Sequence, residues 1–140
     1  MDRAHWQNLA HERVKDAKLL LDGGQWAAAY YLAGYAIECG LKSCVLAYVE
    51  KNPDIVFREK RYIEKCWTHD IGILVDASGL EAMRRADSLA NPALGVNWGV
   101  VQKWSEKTRY EFTPEADARR LYDAVTHHVN GVLPWIQTHW

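Results

Sequence analysis

The stretch GYAIECGLKSCV, from Gly34 to Val45, is almost entirely apolar, yet it contains Glu38 and Lys42 four residues apart. It belongs to a longer segment, from about Gln25 to Lys51, in which apolar residues recur every three or four positions, as on one face of a helix. The segment therefore predicts a long helix that ends at Asn52–Pro53, because proline disfavours helical geometry in the residue before it. The apolar stripe comprises Trp26, Tyr30, Ala33, Ile37, Leu41, Cys44 and Tyr48.

Another helix is predicted immediately before this one, from about Ala4 to Leu21. Its larger apolar residues follow the same helical spacing, with polar residues between them. The turn Asp22 to Gly24 follows, and glycine readily adopts the left-handed backbone that ends helices. Two long helices joined by so short a turn predict an antiparallel helical hairpin.

The middle of the chain carries weaker signals. Charges interrupt every turn between Asp54 and Trp67, which indicates a connector that could contain a short helix. A helix start follows, since the Thr68 hydroxyl can cap free amides and Asp70 complements the positive end of the helix dipole. A further short helix is predicted over Leu80 to Leu89, and Asn91 to Gly95 has the composition of a loop.

The last third of the chain predicts one more long helix. The segment from Trp98 to Tyr110 is expected to be partly helical. Thr113 and Pro114 then combine a capping hydroxyl with a proline suited to the first helical position. The apolar spacing after them continues to the end of the chain, but Pro134 interrupts it just after Gly131. The helix must bend there or end and restart, and we expect a kink.

Composition limits the class of protein. The chain has 140 residues, of which 49% are hydrophobic and 25% charged, which is ordinary for one globular domain. No strand alternation or internal repeat is evident. We therefore predict a single all-α domain over residues 1–140, a four-helix up-and-down bundle with short additional helices. A net charge of −1 argues against a generally basic nucleic-acid binder but leaves room for a local basic patch.

The cysteines and the N-terminal segment suggest a cytoplasmic protein. Three cysteines without a CxxC pair predict neither a disulfide framework nor a zinc site, and Cys39 and Cys44 are expected to be buried small hydrophobic residues. The first residues are charged throughout and lack the apolar core of a signal peptide. No uninterrupted apolar run reaches the length of about eighteen residues that suits a membrane span. No metal or cofactor is expected, because no two histidines have a convincing ligand spacing.

The pair Glu38 and Lys42 stands out within the second helix. Both residues lie on one face, with the acid N-terminal to the base, which is the favourable order. Tyr31 and Tyr35 extend that face, so the stripe borders the core. The pair is either a partly exposed salt bridge of little energetic weight or part of a polar site.

Several segments, in this order, resemble the HEPN domains of prokaryotes and higher eukaryotes. The resemblance covers nearly the whole chain and includes a Glu three residues before Leu-Lys, a Thr-His-Asp at a helix start and an Arg-Tyr before the last helix. The segments are DGGQW (22–26), AAAYYLAGYAIECGLKSCV (27–45), WTHDIGILVDASGL (67–80) and WGVVQKWSEKTRYEF (98–112).

The resemblance implies a helical bundle that forms a homodimer and acts in a toxin–antitoxin or defence module beside a nucleotidyltransferase-like partner. Some HEPN domains are metal-independent endoribonucleases with an Arg and a His four to six positions after it. Arg120 and His127, with six residues between them, are the only pair here near that spacing. Leu121 stands where active members carry a polar residue, and a solvated helix face is the simpler explanation of the pair.

Other residues are candidates for ligand binding. His69 could line a site, although a local hydrogen-bonding role at a helix start is the simpler alternative. Arg109 and Tyr110 combine a cation with an aromatic face that could hold a nucleotide, the alternative being an arginine packed on a tryptophan. Seven tryptophans exceed the needs of so small a core, so we expect some at a homodimer or partner contact. Those expected there are Trp98, Trp104, Trp135 and Trp140.

The leading hypothesis is a HEPN-like protein that binds a nucleotide, RNA or a nucleotidyltransferase-like partner, with weak or no catalysis of its own. Its predicted ligand-binding residues are Tyr35, Glu38, Lys42, His69, Arg109 and Tyr110. The first alternative is a metal-independent endoribonuclease that uses Arg120 and His127 across a dimer interface. The second is a scaffold whose aromatic surface only docks another protein.

Overall fold

The computed structural model describes residues 1–140 and contains nine α-helices, one 3₁₀ helix and no β-strand. The all-α prediction is therefore confirmed. The elements are α1 (Arg3–Asp22), α2 (Trp26–Lys51), α3 (Ile55–Arg58), α4 (Tyr62–Cys66), α5 (Ile71–Ala77), α6 (Glu81–Ala90), α7 (Pro92–Gln102), the 3₁₀ helix (Glu106–Tyr110), α8 (Glu115–Thr126) and α9 (Val132–Gln137).

The two long helices α1 and α2 form the predicted antiparallel hairpin. The start of α1 lies against the end of α2: Arg3 Nη1 is 3.0 Å from Glu50 Oε2. Gln7 also donates a hydrogen bond of 3.1 Å to Ser43 Oγ. Gly24 in the connecting turn has a φ of 75°, a backbone conformation that other residues rarely adopt. The local signals at residues 22–24 therefore determined the turn.

Helix α2 runs through the centre of the molecule. Ile37 and Leu41 are fully buried, and Gly40 lets Leu133 and Ile136 of α9 pack close to the α2 backbone. Helix α8 packs on another side of α2 through small and branched residues such as Leu121. By length and composition α2 could also cross a membrane, but 67% of its most apolar window is buried inside this bundle, as in the core helix of a globular domain.

Two helix starts differ from the predicted ones. The segment Asn91 to Gly95 is not a loop, because Asn91 caps α7 by accepting a hydrogen bond from Leu94 N. Proline occupies the first turn of that helix, where it needs no backbone donor. Similarly, Asp70 rather than Thr68 caps α5, accepting from Ile73 N at 2.9 Å. The Thr68 hydroxyl instead accepts from the backbone N–H of Asp70.

The last helix is broken in two rather than kinked at Pro134. Helix α8 ends at Thr126 and α9 begins at Val132, so Pro134 lies in the first turn of α9, where a proline is tolerated. The break lies at residues 127–131. A side chain at Gly131 would place its Cβ 2.3 Å from the backbone oxygen of His127, so only glycine fits this reversal.

Two of the four tryptophans expected at an interface are core residues. Trp98 is 1% exposed and Trp104 is 4% exposed, so neither can anchor a partner. Gly34 of α2 leaves room for the Trp104 indole, and Trp98 packs edge-on against Trp135. Trp135 and Trp140 are half-buried, and Trp135 Nε1 donates to Asp87 Oδ2 at 2.8 Å. A contact through these two residues stays a prediction.

Candidate functional site

A buried carboxylate organises the region around the middle of α2. Glu38 is fully buried. Its Oε1 atom accepts from Lys42 Nζ at 2.8 Å and lies 2.9 Å from His69 Nδ1. Because an ionised carboxylate can only accept, His69 Nδ1 must carry the proton in this contact. Glu38 therefore joins α2 to the segment that precedes α5, and the structure brings together three of the predicted site residues.

The Glu38–Lys42 pair lies inside the protein, not at the open edge predicted from the sequence. Only 14% of the Lys42 side chain is exposed. Its ammonium group lies 5.0 Å from the centre of the Trp6 ring, and that indole covers it from α1. Glu38 cannot line a ligand groove in this position. The pair acts on the site indirectly, by fixing His69.

His69 connects this buried pair to a surface cleft. Its Nε2 atom is 3.3 Å from Glu106 Oε2, on the 3₁₀ helix. The cleft beside it has a volume of about 260 Å³, and its walls are Thr68, His69, Asp70, Trp104, Ser105, Glu106 and Lys107. Glu106 was not predicted, because nothing in a Ser-Glu-Lys sequence indicates that its carboxylate meets a distant histidine.

Trp104 packs the segment that forms this cleft against α2 at Gly34, where the helix has no side chain. A Cβ atom built on Gly34 would lie 2.2 Å from the Trp104 ring, so the indole rests directly on the helix backbone. Tyr31 lies one turn earlier on α2. The centre of its ring is 6.0 Å from that of Trp104 and 6.1 Å from that of Tyr35, on which it stacks. Burial raises the pKa of the Tyr35 hydroxyl, with smaller contributions from the Cys39 thiol and Glu38. Tyr35 is half-buried and lines neither the cleft nor the groove, so its link to the site is its stacking on Tyr31.

Arg109 and Tyr110 lie at the surface at the end of the 3₁₀ helix. The Arg109 guanidinium is 4.8 Å from the centre of the Tyr110 ring, which is 79% exposed. The hydroxyls of Tyr110 and Tyr31 raise the pKa of Arg109, so its charge is permanent. The expected alternative, an arginine packed on a tryptophan, is not found for Arg109.

An aromatic groove opens beside Arg109. Its volume is about 490 Å³, and three rings line it: Trp26, Tyr31 and Phe112. Phe112 is 90% exposed, although a side chain of this size is usually buried. At the rim, the Arg119 guanidinium lies 5.2 Å from the Trp26 ring, and no side chain caps the first turn of α2. Trp26 and Phe112 were not predicted as site residues, because their exposure depends on how α8 and the 3₁₀ helix pack.

The predicted nuclease pair does not have the expected geometry. Arg120 is exposed on α8, whereas His127 lies beyond the end of that helix. Two backbone amides donate to His127 Nδ1, that of Val129 at 3.2 Å and that of Asn130 at 3.0 Å. His127 therefore closes the turn between α8 and α9. The sequence pattern suggested one continuous helix and missed this turn.

The cysteines offer no nucleophile to the site. Cys39 and Cys44 are buried as predicted, and burial raises the pKa of each thiol to about 12. The thiolate needed for attack is therefore scarce near neutral pH.

Comparison with known proteins adds no relative to this description. No protein-family model, no curated protein and no solved structure matches the chain. The site must therefore be interpreted from its own geometry.

Proposed function

We propose that this chain is a HEPN-like helical domain that binds a nucleotide or single-stranded RNA, with weak or no catalysis of its own. The observation that carries the proposal is the aromatic groove, one cavity that Trp26, Tyr31 and Phe112 line together with Arg109. The HEPN-like four-helix arrangement belongs to the same proposal and is supported by the ordered sequence segments.

The groove has the chemistry that a nucleotide requires. Exposed aromatic rings give any base a stacking surface, and an arginine supplies a charge-assisted donor to phosphate. A volume of about 490 Å³ lies within the usual range for small-molecule sites. An apolar partner peptide would use the rings but would leave the Arg109 guanidinium without an anion. The geometry therefore favours a nucleotide over a purely apolar ligand.

Charge supports local rather than general binding to RNA. The whole chain has a formal charge of −1, so it is not a generally basic protein. Between residues 103 and 112, Lys103, Lys107 and Arg109 outnumber Glu106 and Glu111 by one. Few phosphate contacts and some base stacking are expected from such a surface, together with a weak dependence of affinity on salt.

The state of His127 favours binding over catalysis. Because its Nδ1 accepts from two backbone amides, that nitrogen carries no proton, and the imidazole cannot shuttle protons between both nitrogens without opening the turn. A second imidazole, that of His69, contacts carboxylates on both nitrogens. His69 therefore has no free ring nitrogen, and His127 Nε2 is the one ring nitrogen of these two histidines without a partner in the protein. Strong general acid–base catalysis is therefore not part of this proposal.

The biological setting remains part of the proposal and rests on the resemblance alone. A cytoplasmic homodimer in a toxin–antitoxin or defence module, beside a nucleotidyltransferase-like partner, is the setting expected for a HEPN-like protein. Such a partner could also cover exposed side chains far from the groove, among them Phe57 and Trp67, which are 89% and 77% exposed.

Replacing Phe112 by alanine is expected to weaken binding of a short labelled single-stranded RNA by about 5- to 150-fold. The estimate corresponds to the loss of about 1–3 kcal/mol of stacking per base. Stability should hardly change, since Phe112 is 90% exposed. The measurement is fluorescence anisotropy at fixed salt, accompanied by a thermal melt.

The matched control is Phe57→Ala, which removes an equally exposed ring, 89% against 90%, from α3. RNA affinity should be unchanged in that variant. Arg109→Gln should weaken binding and lower the salt slope by about one. Equal losses for Phe57→Ala and Phe112→Ala would show that the RNA does not use the groove.

Purified protein incubated with a mixed RNA pool in EDTA is expected to leave the RNA intact. The Arg120→Ala/His127→Ala double variant should give the same result, because His127 is engaged in the turn. Gel electrophoresis of the RNA provides the measurement. Cleavage by the wild type that the double variant loses, but that His128→Ala retains, would instead establish the endoribonuclease alternative.

A further inference from the structure

We propose that the cleft between Thr68 and Lys107 is an anion-binding subsite that the chain's own Glu106 carboxylate occupies until a phosphate group replaces it. The inference rests on the proposed function in one respect: the phosphate would belong to the nucleotide whose base lies in the aromatic groove. Arg109 of that groove follows Lys107 of the cleft by two residues. The ring of Tyr31, which lines the groove, is also 6.0 Å from the ring of Trp104, which lines the cleft, so the two cavities are neighbours that one ligand is proposed to span.

Hydrogen-bond donors converge on this cleft. His69 presents Nε2 there, held in place because Glu38 fixes the opposite nitrogen of the ring. Since Nδ1 already carries a proton toward Glu38, Nε2 donates in the imidazolium form of His69, which has a proton on each nitrogen. The hydroxyl oxygens of Thr68 and Ser105 accept from the backbone amides of Asp70 and Lys107. Each hydroxyl hydrogen remains available for an acceptor, since neither hydroxyl donates within the protein. The ammonium group of Lys107 adds a positive charge at the rim.

Trp104 contributes to the cleft wall from the side of α2. Its Nε1 is buried without a hydrogen-bond partner and lies 2.3 Å from the position that a Cβ of Gly34 would take, so this donor lies against α2 and is not offered to the cleft. The donors available to a ligand are therefore those of His69, Thr68, Ser105 and Lys107.

The Glu106 carboxylate has the properties of a replaceable occupant. Its contact with His69 is long, at 3.3 Å, and its side chain is 38% exposed, so it can rotate into solvent. A phosphate oxygen would then take its position with little change in local charge. Asp70 is the one other carboxylate in the cleft wall, and it is committed to capping α5 through Ile73 N.

Glu106→Gln is expected to increase the affinity for inorganic phosphate and for 5′-AMP by about fivefold. The estimate reflects the removal of one competing, partly exposed charge. Affinity for adenosine, which has no phosphate, should not change. Lys107→Gln should weaken phosphate and 5′-AMP binding by about the same factor. Isothermal titration calorimetry on the full chain measures all of these affinities.

The control is Glu111→Gln, which removes the same charge from the same segment but outside this cleft. Equal tightening in both variants would attribute the effect to net charge and overturn the subsite. If 5′-AMP binds but Glu106→Gln does not tighten it, the subsite is wrong while the proposed function stands. If adenosine and 5′-AMP do not bind, but Glu106→Gln strengthens phosphate binding, the subsite stands and the proposed function fails.

Discussion

Replacing Gly34 by alanine is expected to lower the free energy of unfolding by about 3 kcal/mol, because the added methyl group has no space. Its carbon would lie between 2.2 and 2.3 Å from three atoms of the Trp104 ring. These are ring atoms of a buried side chain, so the indole or the helix must move. For a chain of this size the loss corresponds to a decrease in Tm of about 10 °C. Urea denaturation and a thermal melt measure both quantities.

The matched control is Gly99→Ala in α7. No atom lies within 4 Å of the corresponding Cβ position at Gly99, which is exposed. There alanine should stabilise the protein by up to about 1 kcal/mol, since it restricts the unfolded chain and favours the helix. Similar stabilities for the two variants would mean that Trp104 does not rest on α2 at Gly34. Other contacts would then have to hold the segment that forms the cleft.

Replacing Lys42 by methionine is expected to destabilise the protein by about 3 kcal/mol, since it leaves the Glu38 charge buried without its cation. Because Glu38 is fully buried, the loss of stability should exceed the loss of ligand affinity. Ligand affinity should fall only to the extent that His69 loses its position. Denaturant unfolding, with RNA binding measured on the folded fraction, tests both parts.

Lys18→Met provides the comparison for Lys42→Met. Lys18 and Asp22 are also four residues apart, and Lys18 Nζ is 2.8 Å from Asp22 Oδ1. Both side chains, however, are more than half exposed. Loss of this pair should cost only a few tenths of a kcal/mol. A second variant, Glu38→Gln/Lys42→Met, should recover most of the stability, because a neutral buried pair leaves no isolated charge. Similar losses for Lys18→Met and Lys42→Met would contradict the burial of the pair.

The parts of the fold that depend on residues close together in the sequence were predictable from it. Helices α1 and α2 and the turn between them follow from apolar spacing and from Gly24. Asn91 and Pro92 were misread because the same two residue types begin loops and helices alike. Apolar spacing also continued across the break between α8 and α9, so the pattern gave no sign that the chain reverses at Gly131.

The site was predictable only in part, for a similar reason. Residue spacing on a helix places Glu38 beside Lys42, and that contact is confirmed. Burial of the pair depends on Trp6 and His69, which reach it from other elements and leave no trace in local spacing. Exposure of Phe112 depends likewise on packing, not on the residues around it. Tertiary contacts therefore decided which residues face a ligand.

The packing of Trp104 on Gly34 affects the apparent affinity of the protein for its ligand. The 3₁₀ helix and Phe112 lie in one irregular segment that follows this indole. If the packing of Trp104 on Gly34 holds this segment in its binding conformation, only molecules with that packing intact bind the ligand. Apparent affinity is then the intrinsic affinity multiplied by the fraction of molecules with the indole in place. A substitution at Gly34 that halves this fraction halves the apparent affinity without changing any contact between protein and ligand.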